Sequence, residues 1–422
     1  MLSPAAPFRA VLRQRNIRRL LAGLAISQAG DWLYNLALLA FVYDRTHSST
    51  WVGLTTAARI VPLIVLGPLG GVLADRIDRR ALMIGCDLMR AATMAALAAV
   101  VLVHAPIVLA PIMAALCTAA GAPYIPAVQA VLPRLAGADQ LPAANAARVG
   151  LTHICVVASP VFGALLLLLG SPAIAFALNG VTFVIGGIVV AGLPRDDLRV
   201  DTGGSRAGLI SGLQAGWTAL KGCADAGVLV GANMVASAIY GACTVLFVLV
   251  SHRLGLGSSG YGYLLGAAGA GGVLSAGLAQ RAAAGTRPRR ALTVAVLAIG
   301  APLPLVAVTR WAPAALALVA IFGAGSIVAE VVADTQLQRS LDPGVVARAY
   351  GFVLPANLAG IAAGALLAPL CVSVAGLSGS LVLLGAAVIA YGPLVVARPR
   401  TSHVRVGAGR PGPAANVGAG SL

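Results

Sequence analysis

Twelve stretches of roughly twenty apolar residues, joined by short polar connections, decide most of what this chain can become. They fall at 19–43, 51–74, 81–104, 106–132, 145–170, 172–193, 227–250, 260–280, 291–308, 313–335, 348–371 and 377–397. Twenty residues rising 1.5 Å each span the ~30 Å hydrocarbon core of a bilayer. A membrane barrel would show ~10-residue segments alternating with period two instead. With 59% of its residues apolar and 10% charged, the chain lacks the polar surface that a water-soluble fold needs. The reading is an all-α membrane protein of twelve transmembrane helices.

Arginine placement orients it. With the N-terminus in the cytoplasm, cytoplasmic segments hold 24 of the 29 Lys and Arg residues. External loops then hold Arg45, Arg253 and Arg310, while Arg59 and Arg90 fall inside runs. Both termini are expected to be cytoplasmic. The net charge of +16 is spread over loops and ends, with no aromatic-studded basic domain, so nucleic acid is not the expected partner. The first 20 residues carry five arginines and no cleavage-like site, and the first run is expected to stay as a helix. The six cysteines are scattered without metal-ligand spacing and read as packing residues.

The runs divide into an N-terminal six-helix bundle (1–193), a cytoplasmic linker (194–226) with room for an amphipathic helix near 206–222, and a C-terminal six-helix bundle (227–397). A disordered cytoplasmic tail (398–422) follows. The halves echo each other: Gly71-Val-Leu-Ala-Asp-Arg76 with Arg79-Arg80-Ala81-Leu82 returns as Gly277-Leu-Ala-Gln-Arg281 with Arg289-Arg290-Ala291-Leu292. Repeated halves suit a carrier that rocks one bundle against the other around a midplane site.

The segment 67–83, GPLGGVLADRIDRRALM, carries Gly71, Leu73, Asp75, Arg76, Arg79 and Arg80 in the pattern G-x-L-x-D-R-x-G-R-R, with Asp78 in place of the usual glycine. It resembles the loop between helices two and three of the major facilitator superfamily. The Asp-Arg-x-Asp-Arg-Arg variant is similar to the drug:proton antiporter branch that includes macrolide efflux proteins and enterobactin exporters. Gly30-Asp31-Trp32, Asp87-Leu-Met-Arg90 and Arg348-Ala-Tyr-Gly351 resemble that branch too. The resemblance implies the pseudo-symmetric major facilitator fold and a cytoplasmic gate at Gly71, Asp75, Arg76, Arg79 and Arg80. It also implies a helix-five hinge at Pro160 and Gly163, where Ser159-Pro160-Val-Phe-Gly163-Ala164 departs from the branch's G-P-x-x-G-G.

Ionisable groups at bilayer depth cost about 2.5–3.5 kcal/mol on insertion scales, so each needs a reason. Asp31 lies ~18 Å past Arg19 by helical rise, and Arg59 enters from the opposite side ~12 Å past Trp51. These depths permit an Asp31–Arg59 pair, either holding two helices together or titrating a proton at Asp31. Trp32, Tyr34 and Asn35 are candidates to line the same cavity. Glu330, the only glutamate, is a second candidate for a proton or cation. Asp334, with Arg339 or Arg348 as partner, and Asp87, Arg90 and Arg148 are assigned to the gate. Close helix contact is expected at Gly67 and Gly71.

No G-x-x-x-x-G-K-[ST] phosphate loop is present, which argues against ATP as the direct energy source. An embedded lipid-modifying enzyme would need a nucleophile, base or metal cluster at one interface, and the five histidines are scattered. The expectation is therefore a secondary active exporter and not an enzyme. It would exchange protons for small amphipathic compounds, without cofactor or metal, as a monomer in the cytoplasmic membrane. An importer or a lysolipid flippase of the same fold is the alternative.

Overall fold

The structure is a computed structural model. It describes residues 13–129, 131–136, 171–194, 226–285, 287–340 and 346–397, with isolated positions between 140 and 163 and at 218. Regular structure among these residues is helical: α1 Arg15–Thr46, α2 Ser49–Arg76, α3 Arg79–Leu102, α4 Leu109–Gly121, α5 Pro172–Ala191, α6 Ala226–Arg253, α7 Gly257–Ala284, α8 Pro288–Gly300, α9 Pro302–Val308, α10 Ala312–Ser340 and α11 Val346–Ala397. Nine stretches of the described residues are long and apolar enough to cross a membrane. The last, Phe352–Tyr391, holds both final runs, and α1 carries the first. Most of the fifth run, including His153 and Pro160, lies outside the described residues, as do 195–217 and 398–422.

Local chemistry explains where the helices begin and break. Ser171 accepts a hydrogen bond from Ala173 N (3.2 Å) and Pro172 opens α5, a cap followed by a residue whose missing N–H costs nothing there. Asp78 caps α3 by accepting from Ala81 N at 2.8 Å, which gives the departure from the family's glycine a structural purpose. Pro302 separates α8 from α9, yet Arg289–Val308 remains one membrane-length stretch. α11 has 52 residues, about 78 Å if straight, more than twice the hydrocarbon core. Gly376, at φ 68°, breaks it. Ser378 then donates to Ala307 O (3.1 Å), and Val388 and Ile389 lie against Gly300, so the second arm runs back beside α9 and α8.

Two groups of helices result. In the first, α5 packs on α1 and α3, while α4 packs on α2 and α3. In the second, α7 packs on α10, α6 on α11, and α8 on both α10 and α11. Glycines allow the tightest approaches: a Cβ on Gly271 would overlap Ala320 O, and one on Gly364 would overlap Ala238 O. The close contact expected at Gly67 is absent, since Gly67 faces open space. Gly70 makes it instead, with Ala122 O 2.8 Å and Pro123 Cα 2.9 Å from where its Cβ would stand.

The groups meet through α2 on α11, α1 on α7 and α2 on α6. Polar contacts between them, among the described residues, cluster where α1 passes into α2. Asp44 accepts from Ser258 and stands 3.4 Å from His252 Nε2, and the Tyr43 and His252 rings lie 4.6 Å apart. Just beyond, Gly53 on α2 presses on Ala365 O and Pro369 of α11.

Candidate functional site

Asp31 sits halfway along the 32-residue α1. Its partner is Arg90 of α3, with Nη2 2.5 Å from Oδ2, and not Arg59. Eleven residues past Arg79, Arg90 lies ~17 Å along α3, so both residues reach the same depth. Small residues make the meeting possible: Gly186 of α5 lies against Ser27 and Asp87, and Gly121 of α4 against the Arg90 side chain. The Arg90 guanidinium also lies over the Phe183 ring of α5, 3.8 Å from its centroid. Asp87, one turn before Arg90, is fully buried, and Arg90 Nη1 is 3.9 Å away. Neither Asp87 oxygen makes a hydrogen bond among the described residues. Two carboxylates thus flank one guanidinium. Sequence reasoning placed Asp87 and Arg90 in a gate; the structure places them at mid-depth with Asp31.

Arg59 has a different environment. Its Nε donates to the Tyr34 hydroxyl (3.2 Å), Nη1 donates to Asn35 Oδ1, and its guanidinium carbon lies 5.2 Å from the Tyr34 ring centroid. Asn35 is buried and does not line the cavity; it serves as the acceptor that holds Arg59. Trp32 is half-buried beside Asp31 and does not line the cavity. That cavity, about 300 Å³, is bounded by Asp31, Arg90, Arg59, Tyr34, Thr118 and Tyr124, with Ile60, Leu63 and Ile125 supplying apolar wall. A second, apolar cavity in the other group is only about 30 Å³. Glu330 of α10 has an exposed side chain, and Tyr240 of α6 lies within electrostatic reach of both Glu330 and Arg59.

The expected gate is only partly within the described residues. Gly71, Asp75 and Arg76 occupy the last turns of α2, Arg348 opens α11, and the side chains of Asp75, Arg76 and Arg348 lie outside the described residues. Arg79 is buried and Arg148 half-buried. Asp334 accepts from Asn233 Nδ2 (2.9 Å), and Arg339 donates to Ala283 O (3.1 Å) rather than pairing with Asp334. Arg80 donates to Ala191 O, and Arg19 to Gly192 O (3.2 Å). Arginines here hold the carbonyl ends of neighbouring helices, where the helix dipole is negative. Gly163 of the expected hinge packs on Leu33 and Leu36 of α1.

Sequence reasoning missed Thr118 and Tyr124 of the cavity wall, and the Asp44–His252–Ser258 contact. Tyr34, a pocket candidate in the sequence, falls three residues after Asp31 on the same face of α1 and lines the cavity with it. Residues 44, 252 and 258 lie at the ends of three different helices and carry no shared spacing that would have joined them.

The sequence model of the Major Facilitator Superfamily matches residues 20–365. The chain belongs to this superfamily. It is 27% identical over 239 residues to a Bacillus subtilis (strain 168) protein named "uncharacterized MFS-type transporter YfiS", covering 56% of this chain and 54% of that protein. It is 30% identical over 171 residues to macrolide efflux protein A of Streptococcus pyogenes, covering 40% of this chain and 42% of that protein. The chain thus spans about half the length of the curated relatives it matches. Among solved structures, the nucleoside transporter NupG superposes with TM-score 0.74 at 13% identity, covering 91% of this chain and 98% of that one. A bacterial homologue of the human lysosomal transporter Spinster, inward-facing and unoccupied, superposes with TM-score 0.66 at 12% identity, over 91% and 95%. At these identities the likeness is one of fold. Membership of this superfamily, with its several membrane-length helices, makes the chain a multi-pass membrane protein of a transporter superfamily.

Proposed function

We propose that this protein is a proton-coupled exporter of small amphipathic compounds, working by alternating access between an N-terminal bundle (1–193) and a C-terminal bundle (227–397). The observation that carries the reading is the Asp31–Arg90–Asp87 group on and behind the wall of the mid-depth cavity. Two carboxylates and one guanidinium sum to −1, and a proton brings the group to neutrality. Asp87, fully buried and 3.9 Å from its counter-charge, is the costlier of the two carboxylates to keep ionised in a low-dielectric interior. Proton loading and release at this group would change the cavity's charge by one unit per cycle. Outward direction is supported by the 30% identity to a macrolide efflux protein over 171 residues.

On this reading the termini and the 194–226 linker face the cytoplasm, and the protein is a monomer in the cytoplasmic membrane that uses the proton gradient without cofactor. The end of the bundle at Asp44, His252 and Gly53 then faces outward and is closed. The test is transport by the full chain in proteoliposomes, with a pH-sensitive dye inside and a panel of efflux substrates outside. Substrate-dependent proton movement that disappears in Asp31→Asn and Asp87→Asn is the expected result. Substrate-driven proton flux at the wild-type rate in both variants would refute the coupling assignment.

A further inference from the structure

The same cavity holds a second cation with no acidic partner among the described residues. No carboxylate oxygen of the described residues lies within 4.0 Å of an Arg59 nitrogen; its hydrogen-bond partners are the neutral Tyr34 hydroxyl and Asn35 amide. Those two bonds use Nε–H and one Nη1–H, leaving three of the guanidinium's five donors. Those three N–H groups, one on Nη1 and two on Nη2, have no hydrogen-bond partner among the described residues, and a planar guanidinium suits a carboxylate or phosphate. Tyr34 and Asn35 fix the guanidinium in place, so little freedom is lost when an anion docks. Ile60 and Leu63, on the same helix, and Ile125 offer an apolar wall beside it.

We infer that Arg59 is the docking point for an anionic group of the transported solute, so that the substrate class is small organic anions with an apolar body. This rests on the transport reading above and specifies its substrate. The charge count fits proton exchange. Arg59, Arg90, Asp31 and Asp87 sum to zero when both carboxylates are ionised. Docking an anion gives a carrier of charge −1, whereas protonating the unloaded carrier gives +1. An inside-negative potential draws the first outward and the second inward.

The test uses the full chain in lipid nanodiscs at neutral pH and three probes with one apolar body: 1-naphthylacetate, 1-naphthylacetamide and 1-naphthylmethylamine. Calorimetric titration is expected to rank the acetate at least about tenfold tighter than the other two. Arg59→Gln should lose at least about tenfold for the acetate alone, with Arg59→Lys recovering part of the loss. Wild-type protein that binds the amide or amine as tightly as the acetate, or binds none of the three, overturns the assignment whatever the variants do. So does an Arg59→Gln protein, folded by its melting curve, that binds the acetate as wild type does. Failure here with proton-coupled efflux intact leaves the transport reading standing. Conversely, anion binding without any substrate-driven proton flux removes the coupling and leaves Arg59 as a binding residue.

Discussion

Replacing Asp31 with Asn tests the central geometry most directly, because it removes one of two carboxylates from a buried guanidinium while preserving shape. Breaking a buried ion pair from one side costs about 3–5 kcal/mol. Two features reduce that figure. The Asp31 side chain is 33% exposed toward the cavity, against 11% for Arg90, and Asp87 remains 3.9 Å from Arg90 to balance its charge. The expected loss is therefore about 1–2 kcal/mol, between the exposed and buried limits. Asp87→Asn should behave in the opposite sense. It leaves the 2.5 Å Arg90–Asp31 pair as a balanced couple, and stability should be unchanged or slightly higher. The double variant Asp31→Asn/Asp87→Asn leaves Arg90 alone in the bilayer and should cost more than the sum of the single changes, by about 1–3 kcal/mol. Thermal or denaturant unfolding of the detergent-solubilised protein, read as a double-mutant cycle, measures these terms. Strict additivity would mean that Arg90 is not shared between the two carboxylates, and the proton assignment would lose its structural basis.

The remaining expectations concern the scaffold. Asp44→Asn and His252→Ala should each cost under about 1 kcal/mol in unfolding, because the contact is partly exposed, yet shift distances between spin labels at Ser48 and Gly255 toward separation. An unchanged distance distribution would show that this contact does not hold the two groups together. Gly53→Leu should cost about 1–3 kcal/mol by driving a side chain into Ala365 O, and should slow transport more than it weakens solute binding. A variant with wild-type turnover would show that the α2–α11 contact does not tighten during the cycle. Asp78→Ala should cost about 0.5–2 kcal/mol, whereas Asp78→Gly, the residue usual in the family, should cost only a few tenths. Equal losses in the unfolding assay would contradict the capping explanation.

Depth was legible in the sequence and direction around each helix was not. Counting residues from the helix ends put Asp31 and Arg59 deep within their helices, and the structure brings both to the wall of one cavity. The same arithmetic fits Arg90 equally well, and nothing in a 1.5 Å rise says which way a side chain points. That choice is made by third parties. Gly121 and Gly186 open the space that Arg90 and Asp87 occupy, while Tyr34 and Asn35 draw Arg59 toward α1. Gly67 and Gly70 illustrate the same limit, since both are small and only one faces a neighbour. The unequal weight of the halves was visible in the charged residues. The cavity of about 300 Å³ in one group and about 30 Å³ in the other agree with it.

The arginines bonded to helix ends have a consequence for how such a chain is made. Arg19 and Arg80 emerge during synthesis long before Ala191 and Gly192, the carbonyls they finally hold. While α5 is still unmade, those charges are free to keep their loops from crossing the bilayer. Once α5 arrives, the same guanidinium groups become its terminal clasps. Lysine at either position would keep the topological signal, but its single ammonium would hold peptide carbonyls less well than the guanidinium's planar fork of five donors. Insertion and compaction therefore place different demands on one side chain, and arginine is the residue that meets both.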